Sequence, residues 1–201
     1  MKFCVCMGSP RAEGNTAALL APFLEECRAL GVETQVISLH DRAVRPCLGC
    51  MTCQDCLEGP GCVQDDGFGE VFQVMADSDV IVLATPIYAF FCTAPMKALL
   101  DRAIYAGTKN YGRVKGPRLL EGKRLAAVVT CGYPPERGAD LWEEGLKRFC
   151  RHGGLEYMGI LCRQDRGGAE PFMNEDRAQA ARDFAQALVL AVRADRMAGL
   201  E

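Results

Sequence analysis

Nine residues near the start of the chain, Gly8-Ser9-Pro10-Arg11-Ala12-Glu13-Gly14-Asn15-Thr16, put two hydroxyls, a guanidinium and two glycines into one turn. They follow a short apolar stretch, Phe3 to Met7, and lead into Leu20, Phe23, Leu24 and Cys27, which share one face of a helix at i, i+3, i+4 and i+7. A turn between strand and helix leaves backbone N–H groups without intrahelical partners, and the positive end of the helix dipole points the same way. An anion is bound well in such a place. Ser9 and Thr16 add hydroxyl donors, Arg11 adds a fixed cation, and Gly14 and Asn15 complete the loop. A helix cap alone needs only one polar residue, such as Asn15. A triphosphate loop would carry lysine where Asn15 stands, and the G-x-G-x-x-G fingerprint of dinucleotide sites is absent. A lysine-free loop rich in hydroxyls suits a single terminal phosphate, as in FMN.

A second concentration of chemistry is Pro46-Cys47-Leu48-Gly49-Cys50-Met51-Thr52-Cys53-Gln54-Asp55-Cys56, followed by Cys62. Cysteine at every third position, without apolar periodicity, directs several thiolates into one volume. That is ligand spacing for an iron–sulfur cluster. Zinc uses the same atoms, but tetrahedral zinc sites usually divide into two separated cysteine pairs. Asp65 and Asp66 are placed to cap a helix opening at Phe68. His40 and His152 have no evident partner and read as surface or packing residues. The segment Gly107 to Arg124 carries Lys109, Arg113, Lys115, Arg118, Lys123 and Arg124, either a solvated basic loop or a contact for the phosphates of a nicotinamide cofactor.

These groups need a scaffold, and the rest of the chain alternates strands with helices. Strands are expected at Phe3 to Met7, Glu33 to Leu39, Asp79 to Ala84, Leu125 to Thr130 and Leu155 to Cys162. The runs Val80-Ile81-Val82-Leu83 and Leu125 to Thr130 are apolar on both faces, as central parallel strands require. Helical periodicity appears in Phe68, Val71, Phe72 and Met75, in Met96, Leu99, Leu100 and Ala103, and in Trp142, Leu146, Phe149 and Cys150. It returns from about Glu175 in Ala181, Phe184, Leu188 and Val192. Five βα units predict an α/β fold, a doubly wound three-layer sandwich on a five-stranded parallel sheet of order 2-1-3-4-5, with ligand at the carboxyl ends of the strands. The expected organisation is one domain over residues 1–201, with a cysteine-rich loop at about 44–66.

The chain has 201 residues and a formal net charge of −3, which gives no reason to expect nucleic acid as a partner. No apolar run approaches the roughly 18 residues of a membrane span, and the start lacks a signal-peptide core, so no membrane association is expected. Of the 12 cysteines, Cys4, Cys6, Cys27, Cys92, Cys131, Cys150 and Cys162 fall within apolar patterns and read as buried free thiols. A reducing cytoplasm fits that usage.

The first loop, Gly-Ser-Pro-Arg-x-x-Gly-Asn-Thr, resembles the first flavin loop of the NAD(P)H-dependent FMN reductases, a flavodoxin-like family that includes the iron–sulfur flavoproteins. Thr85-Pro86-Ile87-Tyr88-Ala89-Phe90-Phe91, followed by Pro95-Met96-Lys97 and Asp101-Arg102, is similar to the family's second flavin segment. Thr130-Cys131-Gly132 resembles the third. The resemblance covers residues 1 to about 165 and implies that Pro86, Ile87, Tyr88, Phe90, Thr130, Cys131 and Gly132 line an FMN ring whose phosphate sits on the first loop. Hydride would pass from NAD(P)H to flavin N5 and electrons on to a quinone, another small molecule or a protein; no side chain need act as acid or base. A non-catalytic electron carrier is the alternative. The cysteine segment resembles the cluster motif of the iron–sulfur flavoproteins, which implies Cys47, Cys50, Cys53 and Cys62 as ligands of a 4Fe-4S cluster. The gap between Cys53 and Cys62 holds Cys56, so Cys50, Cys53, Cys56 and Cys62 form a second set, and relatives with free thiols or disulfides in this loop leave a cluster-free lid open. The family also implies a homodimer or homotetramer, as does the apolar loop at Tyr88, Phe90 and Phe91.

Overall fold

The computed structural model describes residues 1–167 and 171–198. Five strands, β1 (Lys2–Met7), β2 (Glu33–Ser38), β3 (Val80–Pro86), β4 (Arg124–Cys131) and β5 (Glu156–Gln164), form one sheet of order β2-β1-β3-β4-β5. Every neighbouring pair is parallel. The fold is therefore the expected flavodoxin-like sandwich. β1, β3 and β4 are buried almost end to end, whereas β2 at the edge is largely exposed.

Side chains alternate across the sheet with the period of two that pleating imposes. Phe3, Val5, Val80, Val82, Ala126 and Val128 face α1 (Asn15–Ala29) and α6 (Glu175–Ala198), where Leu19, Phe23, Leu188 and Val192 close the core. Cys4, Cys6, Ile81, Leu83, Leu125 and Ala127 face the opposite layer. There Phe68, Phe72, Met96, Leu99, Trp142 and Leu146 come from α2 (Phe68–Ala76), α3 (Ala94–Gly107) and α5 (Asp140–Gly153). Each fully buried aliphatic or aromatic side chain contributes about 1.5–3 kcal/mol of transfer free energy. The seven cysteines assigned to apolar patterns are all buried, and all 12 are unpaired.

Two elements escape periodicity because they are too short to show any: a 3-10 turn at Thr52–Asp55 and a single turn, α4, at Pro135–Gly138. The strands run one or two residues beyond their expected ends at β3, β4 and β5. In consequence Pro86 and Cys131 close strands, and the loops after β1, β3 and β4 begin at Gly8, Ile87 and Gly132 along one edge of the sandwich.

Candidate functional site

The loop after β1 turns on Ser9. Its hydroxyl accepts from the Arg11 N–H and donates to the Arg11 carbonyl, both at 3.2 Å. Gly14, not Asn15, is the cap residue of α1, and no side chain caps the helix, so its first-turn N–H groups face the loop. Asn15 reaches sideways instead and donates to Asp165 Oδ2 at 2.6 Å. Thr16 is buried and shares a 2.8 Å hydrogen bond with the Thr130 hydroxyl at the end of β4. Arg11 is exposed at the rim.

The loops after β3 and β4 are tied to the first. Thr93, just before α3, donates to the Gly8 carbonyl at 2.6 Å, and a Cβ on Gly8 would meet the Thr93 hydroxyl at 2.9 Å, so glycine is required for that approach. Ile87 N–H donates to the Thr130 carbonyl at 2.8 Å. Between them Tyr88 and Phe91 exchange two backbone hydrogen bonds around Ala89 and Phe90, both in the left-handed region at φ 49° and 67°. A two-residue turn of that geometry normally selects Asn-Gly, so two L side chains here are strained. The turn carries the Phe90 ring onto Tyr133, with centroids 5.8 Å apart and planes 24° from parallel. Tyr88, Phe90, Phe91 and Tyr133 are all exposed, forming an open aromatic shelf beside the uncapped helix. The buried Cys131 thiol lies 3.4 Å from Cys162 and donates to the Tyr133 carbonyl at 3.0 Å.

The cysteine loop packs against the later turns of α3 and the segment beyond it. Cys47, Cys50, Cys53 and Cys62 line one cavity together with Arg102, Tyr105 and Ala106. Cys56 is outside that wall; it packs on Gly61, where a Cβ would stand 2.3 Å from the Cys56 Cβ. Buried Gln54 staples the loop down, donating to the carbonyls of Tyr105 and Thr108 and accepting from the Tyr111 N–H at 3.0 Å. Lys109, fully buried at 0% exposure, donates to the carbonyls of Cys53 at 2.8 Å and Pro60 at 3.2 Å. Arg102, 2% exposed, bonds Asp66 at 2.6 Å and the Cys62 sulfur at 3.2 Å. Burial pushes the Cys53 thiol up, while hydrogen bonds from Thr52 draw the exposed Cys50 thiol down. Among the described residues no three His, Cys, Asp or Glu side chains converge on one metal ion.

The profile of the NADPH-dependent FMN reductases matches residues 1–149. The chain belongs to that family. It is 37% identical over 160 residues to an iron–sulfur flavoprotein of Archaeoglobus fulgidus, covering 80% of this chain and 65% of that protein. It is 39% identical over 103 residues to an iron–sulfur flavoprotein of Methanocaldococcus jannaschii, covering 51% and 52% respectively. The matches thus span about half to two-thirds of those relatives. Among solved structures, an FMN-dependent NADH-azoreductase from Bacillus anthracis in complex with FMN superimposes with a TM-score of 0.68 at 18% identity, over 95% of this chain and 100% of that one. That likeness concerns the fold.

Within this FMN reductase fold, the first loop and the two later loops lie side by side, joined by Thr16–Thr130 and Ile87–Thr130. Gly67, not Asp65 or Asp66, is the cap residue of α2; Asp66, one position earlier, accepts from the Phe68 N–H at 3.1 Å. Two further readings are corrected. Lys109 is not part of a solvated loop, because its ammonium is withdrawn beneath the cysteine segment. His152 is not without a partner: its Nε2 lies 2.7 Å from the Tyr111 hydroxyl, and the two rings stack. Sequence reasoning also missed Thr93, Gln54, Arg102 and Asp165 as supports. None carries a local motif for its role, since these partners lie 40 to 150 positions away. No helix of the described residues is long and apolar enough to cross a membrane.

Proposed function

We propose that residues 1–201 form one FMN-binding domain that takes hydride from NAD(P)H and passes electrons to a quinone, another small molecule or a protein, in the cytoplasm and as a homo-oligomer. The observation that carries this reading is the uncapped N-terminus of α1, bonded through Thr16, Thr130 and Ile87 to an exposed aromatic shelf at the adjacent strand ends. The free N–H groups of α1, the Ser9 hydroxyl and Arg11 would hold the phosphate. Pro86, Ile87, Tyr88, Phe90 and the backbone at Thr130 to Gly132 would meet the ring, with aromatic faces for stacking and backbone N–H groups for its polar edge. When bound, FMN supplies the hydride-accepting atom; the chain supplies orientation and a partly dehydrated face.

We further propose that Cys47, Cys50, Cys53 and Cys62 hold a 4Fe-4S cluster, a set favoured by their common cavity and by the position of Cys56 outside it. The fit is supported by chemistry in the wall. Arg102 is buried there with its Nε lacking any hydrogen-bond partner, a donor that thiolate or sulfide sulfur would satisfy. The test is protein purified without air. A flavin spectrum, turnover with NADH or NADPH, and iron and acid-labile sulfide near four each per chain support the reading. Cys50→Ser and Cys53→Ser should lose the iron and keep the flavin. Flavin without turnover turns the reading to an electron carrier, and flavin without iron removes the cluster alone.

A further inference from the structure

We propose that Arg102 is the positioning residue that sets the reduction potential of the cluster, acting through the sulfur of Cys62. The inference rests on the cluster reading above.

Arg102 projects from α3, about 12 Å along the axis from the helix start at Ala94, and reaches solvent with only 2% of its surface. Its Nη1 donates to Asp66 Oδ2 at 2.6 Å and to the Arg45 carbonyl at 3.2 Å, while its Nη2 donates to Cys62 Sγ at 3.2 Å. The guanidinium lies 4.2 Å from the centroid of Phe68, which holds the plane of the fork. A buried ion pair is a poor device for stability, since well-packed apolar residues usually serve as well. An Arg102–Asp66 pair serving only to join α3 to the loop would need no sulfur contact.

The charge balance of the cavity points the same way. Arg102 and Lys109 are both buried at the cysteine loop, and among the described residues Asp66 is the carboxylate paired with Arg102, while Lys109 has carbonyls for partners and no carboxylate. One carboxylate against two buried cations leaves positive charge for thiolates to neutralise. Of the two cations only Arg102 touches a sulfur. Hydrogen bonds and positive charge at a ligand sulfur stabilise the reduced, more negative state and so raise the potential. Asp66 acts in the opposite sense by drawing down the charge of Arg102.

The test is a redox titration of the air-free holoprotein with dithionite and mediators, with iron and sulfide determined on the same samples and the flavin couple as an internal reference. The couple followed is one electron added to the oxidised cluster, with no bond made or broken. In Arg102→Gln, where Arg45 still neighbours Asp66, the equilibrium for cluster reduction should fall about tenfold, which is 59 mV for one electron, with the flavin couple unmoved. Asp66→Asn keeps Arg102 and should shift the cluster the other way by several-fold. Full iron with unmoved potentials in both variants overturns the proposal and leaves Arg102 a structural clamp. If Arg102→Gln fails to fold or to retain iron, Asp66→Asn decides alone: a raised potential supports the role, and an unchanged one overturns it. Wild-type protein without iron overturns the cluster reading itself, an outcome distinct from a cluster that ignores Arg102.

Discussion

Arg11 and Thr16 belong to one loop but are anchored differently, and substitution should separate ligand binding from folding. Arg11 is exposed and holds no ion pair among the described residues, so Arg11→Ala should weaken FMN binding by about 1–3 kcal/mol, as for loss of a charged hydrogen bond, and leave the apoprotein melting temperature unchanged. Thr16 is committed to Thr130 in the interior. Thr16→Ala should weaken flavin by a similar amount and also destabilise the apoprotein by about 1 kcal/mol, because the Thr130 hydroxyl loses its partner. Flavin titration and thermal melts on both variants check the contrast. The cysteine loop holds a second contrast. Cys50 is exposed, with a thiol drawn down by Thr52, whereas Cys53 is half-buried with its thiol pushed up. In metal-free protein near neutral pH, iodoacetamide should label Cys50 well before Cys53, as peptide mass mapping would show.

At the scale of elements, the Tyr88–Phe91 turn stores strain that can be released. Ala89 sits at φ 49°, where an L side chain costs about 1–2 kcal/mol and glycine does not. Ala89→Gly should therefore stabilise the apoprotein by up to about 1 kcal/mol after the extra entropy of glycine in the unfolded chain, read from the urea midpoint. The same change should loosen the hold of Phe90 on Tyr133 and weaken flavin binding. That turn also marks the boundary of what the sequence discloses. The apolar runs of β3 and β4 and the helical spacing of Met96 to Ala103 reveal their elements because burial on one or both faces dictates residue type at each position. Ser9, Arg11 and Thr16 stand out in the sequence because the donors of the proposed phosphate cradle would all have to lie within one turn. Ala89-Phe90 gives no warning of a left-handed turn, as neither residue favours one. Arg102, Gln54 and Lys109 stay hidden for another reason: a side chain that supports a loop 40 to 57 residues away leaves no periodic trace.

Across the whole molecule, the Arg102–Asp66 contact should be visible in acid stability. Burial alone would raise the Asp66 carboxyl, but hydrogen bonds from Arg102 and from the Arg45 and Phe68 N–H groups outweigh it and hold it at about 2, below the ordinary 3.8. A carboxyl depressed by folding stabilises the protein fully above its unfolded value, so this contribution is complete above about pH 4 and fades as pH falls toward 2. It amounts to about 2 kcal/mol. Asp66→Asn should lack that part of the acid limb in urea unfolding followed from pH 5 to 2, and should be less stable at pH 7 by about 3 kcal/mol because Arg102 remains buried without its counter-ion. Oligomerisation can be read independently by light scattering, where a dimer or tetramer at micromolar concentration is expected. The supports of the cysteine loop have one more consequence, for the growing chain on the ribosome. Lys109 follows Cys53 by 56 residues and Arg102 follows Cys62 by 40. At about 5–20 residues per second, the thiols emerge several seconds before the side chains that will enclose them. During that interval the nascent loop is open to metal delivery and equally open to oxidants, and synthesis of α3 and the residues just beyond it brings the cover over Cys53 and Cys62 while Cys50 stays exposed.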